Sequence, residues 1–343
     1  MNHADIPMVS GRKSALPKVY GDTPTFLGVP RLDLNHLPSG LDAIVVGVPW
    51  EGTVTWGTFT GCELAPRSIR HCAARYGGFL PEYEIDLFDH LSLGDAGDIA
   101  VEPNSAEETM ARVCRAMERI YTAGTIPVVM GGDHSFTPEI IQAMTRCRQG
   151  RIGVIHFDAH FDNAKVFGED TMPRCAPIHR IAQIPQVRTQ SIAHVAIRGP
   201  RNSPSQLAYA REMGAHVFTI RDIRKRGMDT VIEEAIGVAR AETEQIYVTI
   251  CSDCIDAAFN PGGPADFNGL FAHELFAALY RLGQNGIAGL DFVEIYPNQD
   301  ASGFSSHLAA WAIIHALAGL ADRKRSVKGE TVRKPQPLAG KEA

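Results

Sequence analysis

The chain is 343 residues long and is defined first by what it lacks. Its opening, MNHADIPMVSGRK, has no apolar core of the signal-peptide type. Its longest apolar run, 308–320, is about 13 residues and contains His315, too short to span a bilayer and suited to a buried helix. The seven cysteines are odd in number and scattered. One C-x-x-C, at Cys251 and Cys254, has no second pair, which argues against a zinc knuckle, and the pattern is not that of a disulfide scaffold. There is no basic excess: 33 Lys and Arg stand against 39 Asp and Glu, for a net charge of −6. A protein built to hold nucleic acid usually shows the opposite balance. The expectation is a cytoplasmic protein with reduced thiols and neither a membrane nor a nucleic-acid partner.

What is present is an ordinary globular composition, 45% hydrophobic and 21% charged, with an uneven charge distribution. Residues 322–343 hold seven Lys or Arg and three acids and read as a basic C-terminal tail. The rest of the chain is therefore distinctly acidic, at about −10. Residues 1–38, rich in Pro, Gly and polar groups, read as an irregular N-terminal arm, and 39–321 as a single catalytic domain. Within the body, β-branched runs apolar on both faces (43–48, 126–130, 152–157, 194–197, 216–220, 247–251 and 287–294) alternate with helical patterns. That alternation predicts an α/β fold, a three-layer αβα sandwich around a mostly parallel sheet.

Ligands of such sheets bind where the strands end, and three polar clusters fall there. Gly131-Gly132-Asp133-His134-Ser135 follows 126–130 and Asp158-Ala159-His160-Phe161-Asp162 follows 152–157. Asp253-Cys254-Ile255-Asp256 follows 247–251. Residues two apart in extended chain point the same way, so Asp158, His160 and Asp162 can converge. Four carboxylates at one centre repel one another unless cations intervene. Two divalent ions neutralise the set, and oxygen with a few imidazoles suits Mn²⁺ and tolerates Ni²⁺. Taken singly, each cluster is equally compatible with turn and capping chemistry. It is their occurrence at successive strand ends, without Lys or Arg, that predicts a binuclear site.

At these residues the sequence resembles the ureohydrolases: arginases, agmatinases, guanidinobutyrases, guanidinases and formiminoglutamases. The motifs stand as GGDHS at 131–135, DAHFD at 158–162, CSDCIDAAFNPG at 251–262 and LDFVEIYP at 290–297. Gly47-Val48-Pro49-Trp50 and the stretch 65–70 match earlier in the chain, and the order holds from about residue 40 to 320. The resemblance, to the agmatinase-like branch, implies an arginase-like fold and two Mn²⁺ or Ni²⁺ ions. It also implies cleavage of a guanidino compound to urea and an amine by a metal-bridging hydroxide. Carried over, His134, Asp158, His160, Asp162, Asp253 and Asp256 are the metal ligands, Asp162 also moves a proton, and Glu294 pairs with the guanidinium. Assembly as a homo-oligomer, a trimer or hexamer, is implied as well.

The sequence departs from the family pattern at three places. Arg174 falls near a histidine that many members carry, leaving His179 as a replacement proton donor or as an ordinary helix residue. Cys251 replaces a serine and Ala257 a proline, with Cys251 and Cys254 read as packing groups. The loop 260–269 is about two residues short, with Asp266 near the position of an agmatinase glutamate and Phe267 beside it. Trp50, Trp56 and Phe59 either wall a small cation or belong to core and interface. These departures favour guanidine, a guanidinoalkanoate, or an alkylated guanidine or biguanide such as metformin. A carboxylate-bearing substrate would meet Arg174. The alternatives are an agmatinase, a hydrolase of a formimino compound, or an assembly subunit of a hetero-oligomeric ureohydrolase.

Overall fold

The computed structural model describes residues 23–53, 58–327 and 329. β1 (Ala43–Val48), α1 (Ala65–Ala73), the short pair β2 (Phe79–Leu80) and β3 (Ile85–Asp86), α2 (Leu87–His90) and β4 (Leu93–Asp98) come first. α3 (Ala106–Thr122), β5 (Ile126–Gly131), α4 (Thr137–Cys147), β6 (Ile152–Phe157) and α5 (Pro177–Ile181) follow. β7 (Val187–Ile197), α6 (Pro204–Glu212), β8 (His216–Thr219), α7 (Ile220–Arg226) and α8 (Met228–Arg240) lead to β9 (Gln245–Cys251). α9 (Ala272–Asn285), β10 (Gly289–Val293) and α10 (Phe304–Val327) close the chain.

Eight strands form one sheet in the order β4-β1-β5-β10-β9-β6-β7-β8, with every neighbouring pair parallel. Parallel strands need crossovers, and the intervening helices cover both faces. On one face Val45, Val128, Ile155 and Val248 pack against α1, α8, α9 and α10 through Ile69, Val231, Leu279 and Ile313. On the other, Ile44, Val129, Val154 and Tyr247 meet Val113, Met117 and Ile140 of α3 and α4. Each such aliphatic side chain contributes about 1.5–3 kcal/mol by leaving water, so these two layers hold the sheet in place. The three-layer expectation therefore holds.

The edges of the reading shift. Residues 322–327, expected to begin the tail, are the last turns of α10. There Lys324 pairs with Asp42 at 2.6 Å and Arg325 with Asp322. α10 is long and apolar enough by composition to cross a membrane, but 83% of that apolar window is buried inside the fold. β4 went unseen because Leu93-Gly94-Asp95-Ala96-Gly97-Asp98 carries two aspartates and two glycines. Asp95 is tolerated because the buried Arg70 binds it at 2.8 and 2.9 Å. The arm before residue 23 and the tail beyond 329 lie outside the described residues.

Candidate metal centre

The four central strands, β5, β10, β9 and β6, deliver the site at their carboxyl ends. His134 follows β5, Glu294 follows β10, Cys251 ends β9 with Asp253 in the 3-10 turn after it, and Asp158, His160 and Asp162 follow β6. Gly132 permits the first turn: a Cβ there would stand 1.8 Å from the Trp50 carbonyl oxygen. Asp162 and Glu294 both adopt left-handed backbone, φ 45° and 64°, conformations that non-glycine residues hold only when their surroundings enforce them.

Asp158 is fully buried and divides its oxygens between two groups. Oδ2 lies 3.4 Å from Nδ1 of His134, which is also 3.2 Å from Oδ2 of Asp162. Oδ1 lies 3.3 Å from Nδ1 of His160, which is 3.0 Å from Oδ2 of Asp253. The tautomer of His134 follows from its other side. Thr249 Oγ1 donates to Asp291 at 2.6 Å, so it accepts from His134 Nε2 at 2.8 Å. A neutral His134 therefore aims the lone pair of Nδ1 at two carboxylates. That arrangement is repulsive unless a proton or a metal ion sits between them, and the donor chemistry fits two divalent cations sharing Asp158.

The electrostatics agree. Burial opposes charge on His134, yet Asp158 and Asp162 hold its pKa well above the ordinary range. Burial likewise opposes charge on His160, but Asp253 and Asp158 push it up to about 11. Burial and the Asp158 charge raise Asp162. Without metal, protonated imidazoles substitute for the cations.

Not every expected ligand arrives. Asp256 joins neither group; its carboxylate accepts from the backbone N–H of Ala258 at 2.9 Å and of Gly269 at 3.0 Å, which is turn chemistry. Cys251, read as packing, does join: its sulfur and ligand atoms of His134 and Asp158 all lie within 4.8 Å of one another. Cys251 is the last residue of β9 and Asp253 sits in the 3-10 turn that follows, so the turn, not strand alternation, brings Asp253 to the cluster. Cys254 is a core residue as expected.

A cavity of about 240 Å³ opens beside the cluster, lined by residues that include His160, Asp162, Arg174, Cys251, Asp253 and Glu294. Arg174 enters it from the loop after Asp162. It donates to Glu294 at 3.1 Å and to Glu51 at 3.0 Å. Burial pushes Glu294 up to about 7 despite Arg174, with Asp133 adding to the rise. Asp266, expected at the substrate, is instead salt-bridged to Arg201 and stands 3.5 Å from Nε2 of His160. His179 sits on α5 against Tyr209 at 3.0 Å and does not line the cavity. Trp50 is in the core, Phe59 and Phe267 are exposed, and Trp56 lies outside the described residues. Asp133 lies within the GGDHS motif but has no role assigned from the sequence, and Glu51, missed in the sequence, has no motif spacing that marks it. His156 had a signal, two residues before Asp158 on the same strand face; its Nε2 lies 3.0 Å from the Asp158 carboxylate.

Comparison with known proteins agrees with this geometry. Residues 41–319 match the profile described as the Arginase family. The chain is similar to guanidinopropionase of Pseudomonas aeruginosa, 29% identical over 89% of this chain and 96% of that protein. Among solved structures, proclavaminate amidino hydrolase from Streptomyces clavuligerus superposes with TM-score 0.80 at 26% identity, over 89% of this chain and 99% of that one. A formiminoglutamase variant from Trypanosoma cruzi, solved with Mn²⁺, gives 0.77 at 25% identity, over 82% and 94%.

Proposed function

The chain belongs to the arginase family, and from that premise we propose that it is a binuclear-metal hydrolase of a guanidino compound, releasing urea and an amine. The observation that carries the proposal is the division of the Asp158 oxygens between His134 and His160, each with its own second carboxylate. His134, Asp158, Asp162 and Cys251 would hold one ion, and Asp158, His160 and Asp253 the other. Bound divalent ions supply a water ionised near neutral pH and positive charge for the anion that develops during attack.

The chain's own groups do the rest. Asp162 lines the cavity, where a carboxylate oxygen can take a proton and return it to the leaving nitrogen. His179, turned toward Tyr209, is not used in this scheme. Thr249 and Asp291 fix the His134 ring. His156 holds Asp158 from behind and is itself 2.9 Å from His194.

The favoured substrates remain guanidine, a guanidinoalkanoate, or an alkylated guanidine or biguanide, with Mn²⁺ or Ni²⁺ as the metal. Loading the protein with either ion and measuring urea across such a panel tests the proposal. Two bound ions with no urea from any compound would overturn it. The contact of Arg174 with Glu294 supports a second reading, an assembly subunit of a hetero-oligomer. In that case the chain is inactive alone and gains activity only when mixed with a related chain.

A further inference from the structure

Three carboxylates converge on one buried guanidinium. Arg174 is 4% exposed, donates through Nη1 to Glu294 and through Nη2 to Glu51, and lies 3.8 Å from Asp133. Tyr296 donates to the same Glu294 oxygen at 2.6 Å, and the backbone N–H of His134 donates to the other at 2.9 Å, so both oxygens are held in place. Glu51 is likewise fixed, accepting from the backbone N–H groups of Thr60 at 2.7 Å and Gly61 at 2.9 Å. Rigid carboxylates around a planar fork are what guanidinium recognition requires. The seat borders the same cavity as Asp162, His160 and Asp253.

We propose that these carboxylates form a guanidinium seat whose resident occupant is Arg174, so that a guanidino ligand binds there only when the Arg174 side chain is absent or displaced. The identification of the seat rests on what it already holds; its use in catalysis rests on the hydrolase reading above. Arg174 is thereby a specificity determinant. It removes Glu294 from the reach of a substrate guanidinium while leaving Asp162 and the ligand cluster open to the cavity. Among the described residues its Nε finds no hydrogen-bond partner, so Nη1 and Nη2 alone make the contacts.

Arg174→Met keeps the stem and vacates the seat. Its thermal unfolding midpoint is expected to rise by about 2 °C or more with guanidinium at about 10 mM, concentrations far below denaturing, but not with methylammonium or urea. Without metal, the wild-type midpoint is expected not to respond. Arg174→Gln, which keeps a hydrogen-bonding group for Glu294, provides the same measurement if the methionine variant fails to fold. A third arm needs neither variant: saturation-transfer NMR of the metal-loaded wild type with agmatine is expected to show no contact that Glu294→Gln abolishes. Absence of a guanidinium-specific rise in the variants, or a Glu294-dependent agmatine contact in wild type, would overturn the proposal. Seat occupancy in Arg174→Met without urea from any substrate would sink the hydrolase reading and leave this one standing.

Discussion

Cys251 brings its sulfur within 4.8 Å of ligand atoms of both Asp158 and His134. Sulfur is softer than carboxylate oxygen and shifts preference from Mn²⁺ toward Zn²⁺, Co²⁺ or Ni²⁺. In the metal-free protein burial holds the thiol well above its ordinary pKa, with the neighbouring carboxylates adding to the rise, and only a bound cation would reverse that.

Replacing Cys251 with aspartate is therefore expected to tighten Mn²⁺ binding relative to Zn²⁺ or Co²⁺. The Co²⁺-loaded wild type shows the intense near-ultraviolet sulfur-to-metal absorption, and Cys251→Asp loses it. Equal Mn²⁺ affinities, with no sulfur band in wild type, would take the thiolate out of the ligand set.

Metal binding expels protons. His134 and His160 are both held protonated by the carboxylates they face, His160 up to about 11. Calorimetry near neutral pH, in buffers of different ionisation enthalpy, is expected to show about three protons released per filled chain, one each from His134, His160 and the Cys251 thiol, with affinity rising with pH. The metal-free protein shows the converse in stability. His160 binds its proton more tightly folded than unfolded, so its contribution is full below about 6.5 and is lost as pH rises through about 11. Chelated protein should therefore weaken across that alkaline window, and a flat profile in Asp253→Asn relative to wild type would confirm the source.

The fold and most of the cluster were legible because the strands are apolar on both faces and each ends in a short polar motif. Asp158, His160 and Asp162 follow from their spacing together with the neighbouring clusters at the other strand ends. Asp256 and Cys251 exchanged roles because spacing cannot say where the strand ends and the turn begins. β9 ends at Cys251, and the 3-10 turn over Ser252–Cys254 carries Asp253 to the cluster, while Asp256 falls beyond that turn. The pairing of Arg174 with Glu294 and Glu51 joins three loops distant in sequence, and nothing local encodes it. β4 was hidden for the same reason, since its polar Asp95 makes sense only beside Arg70.

Asp256 gives a test that separates ligand from turn residue. Asp256→Asn keeps an acceptor for one of the two backbone N–H groups and is expected to bind the same number of metal ions per chain as wild type. Asp256→Ala costs about 1–2 kcal/mol of stability by leaving both donors without their partner, and also leaves the metal count unchanged. Loss of one metal in Asp256→Asn, measured by elemental analysis after dialysis, would restore Asp256 to the ligand set.

Arg70 and Asp95 lock the edge of the sheet and offer the clearest stability prediction. Both are buried, and Arg70 also reaches Asp98 and the Gly97 carbonyl at 2.8 Å. Asp95 additionally accepts from the backbone N–H of Phe26 at 2.7 Å, tying the segment before β1 to β4. Arg70→Met strands a buried carboxylate and is expected to cost about 3–5 kcal/mol in urea unfolding. Arg70→Met with Asp95→Asn removes the orphaned charge while keeping an acceptor for Phe26, and so recovers a large part of that loss. A double variant no more stable than Arg70→Met would show that packing around the arginine stem, rather than the ion pair, holds this edge.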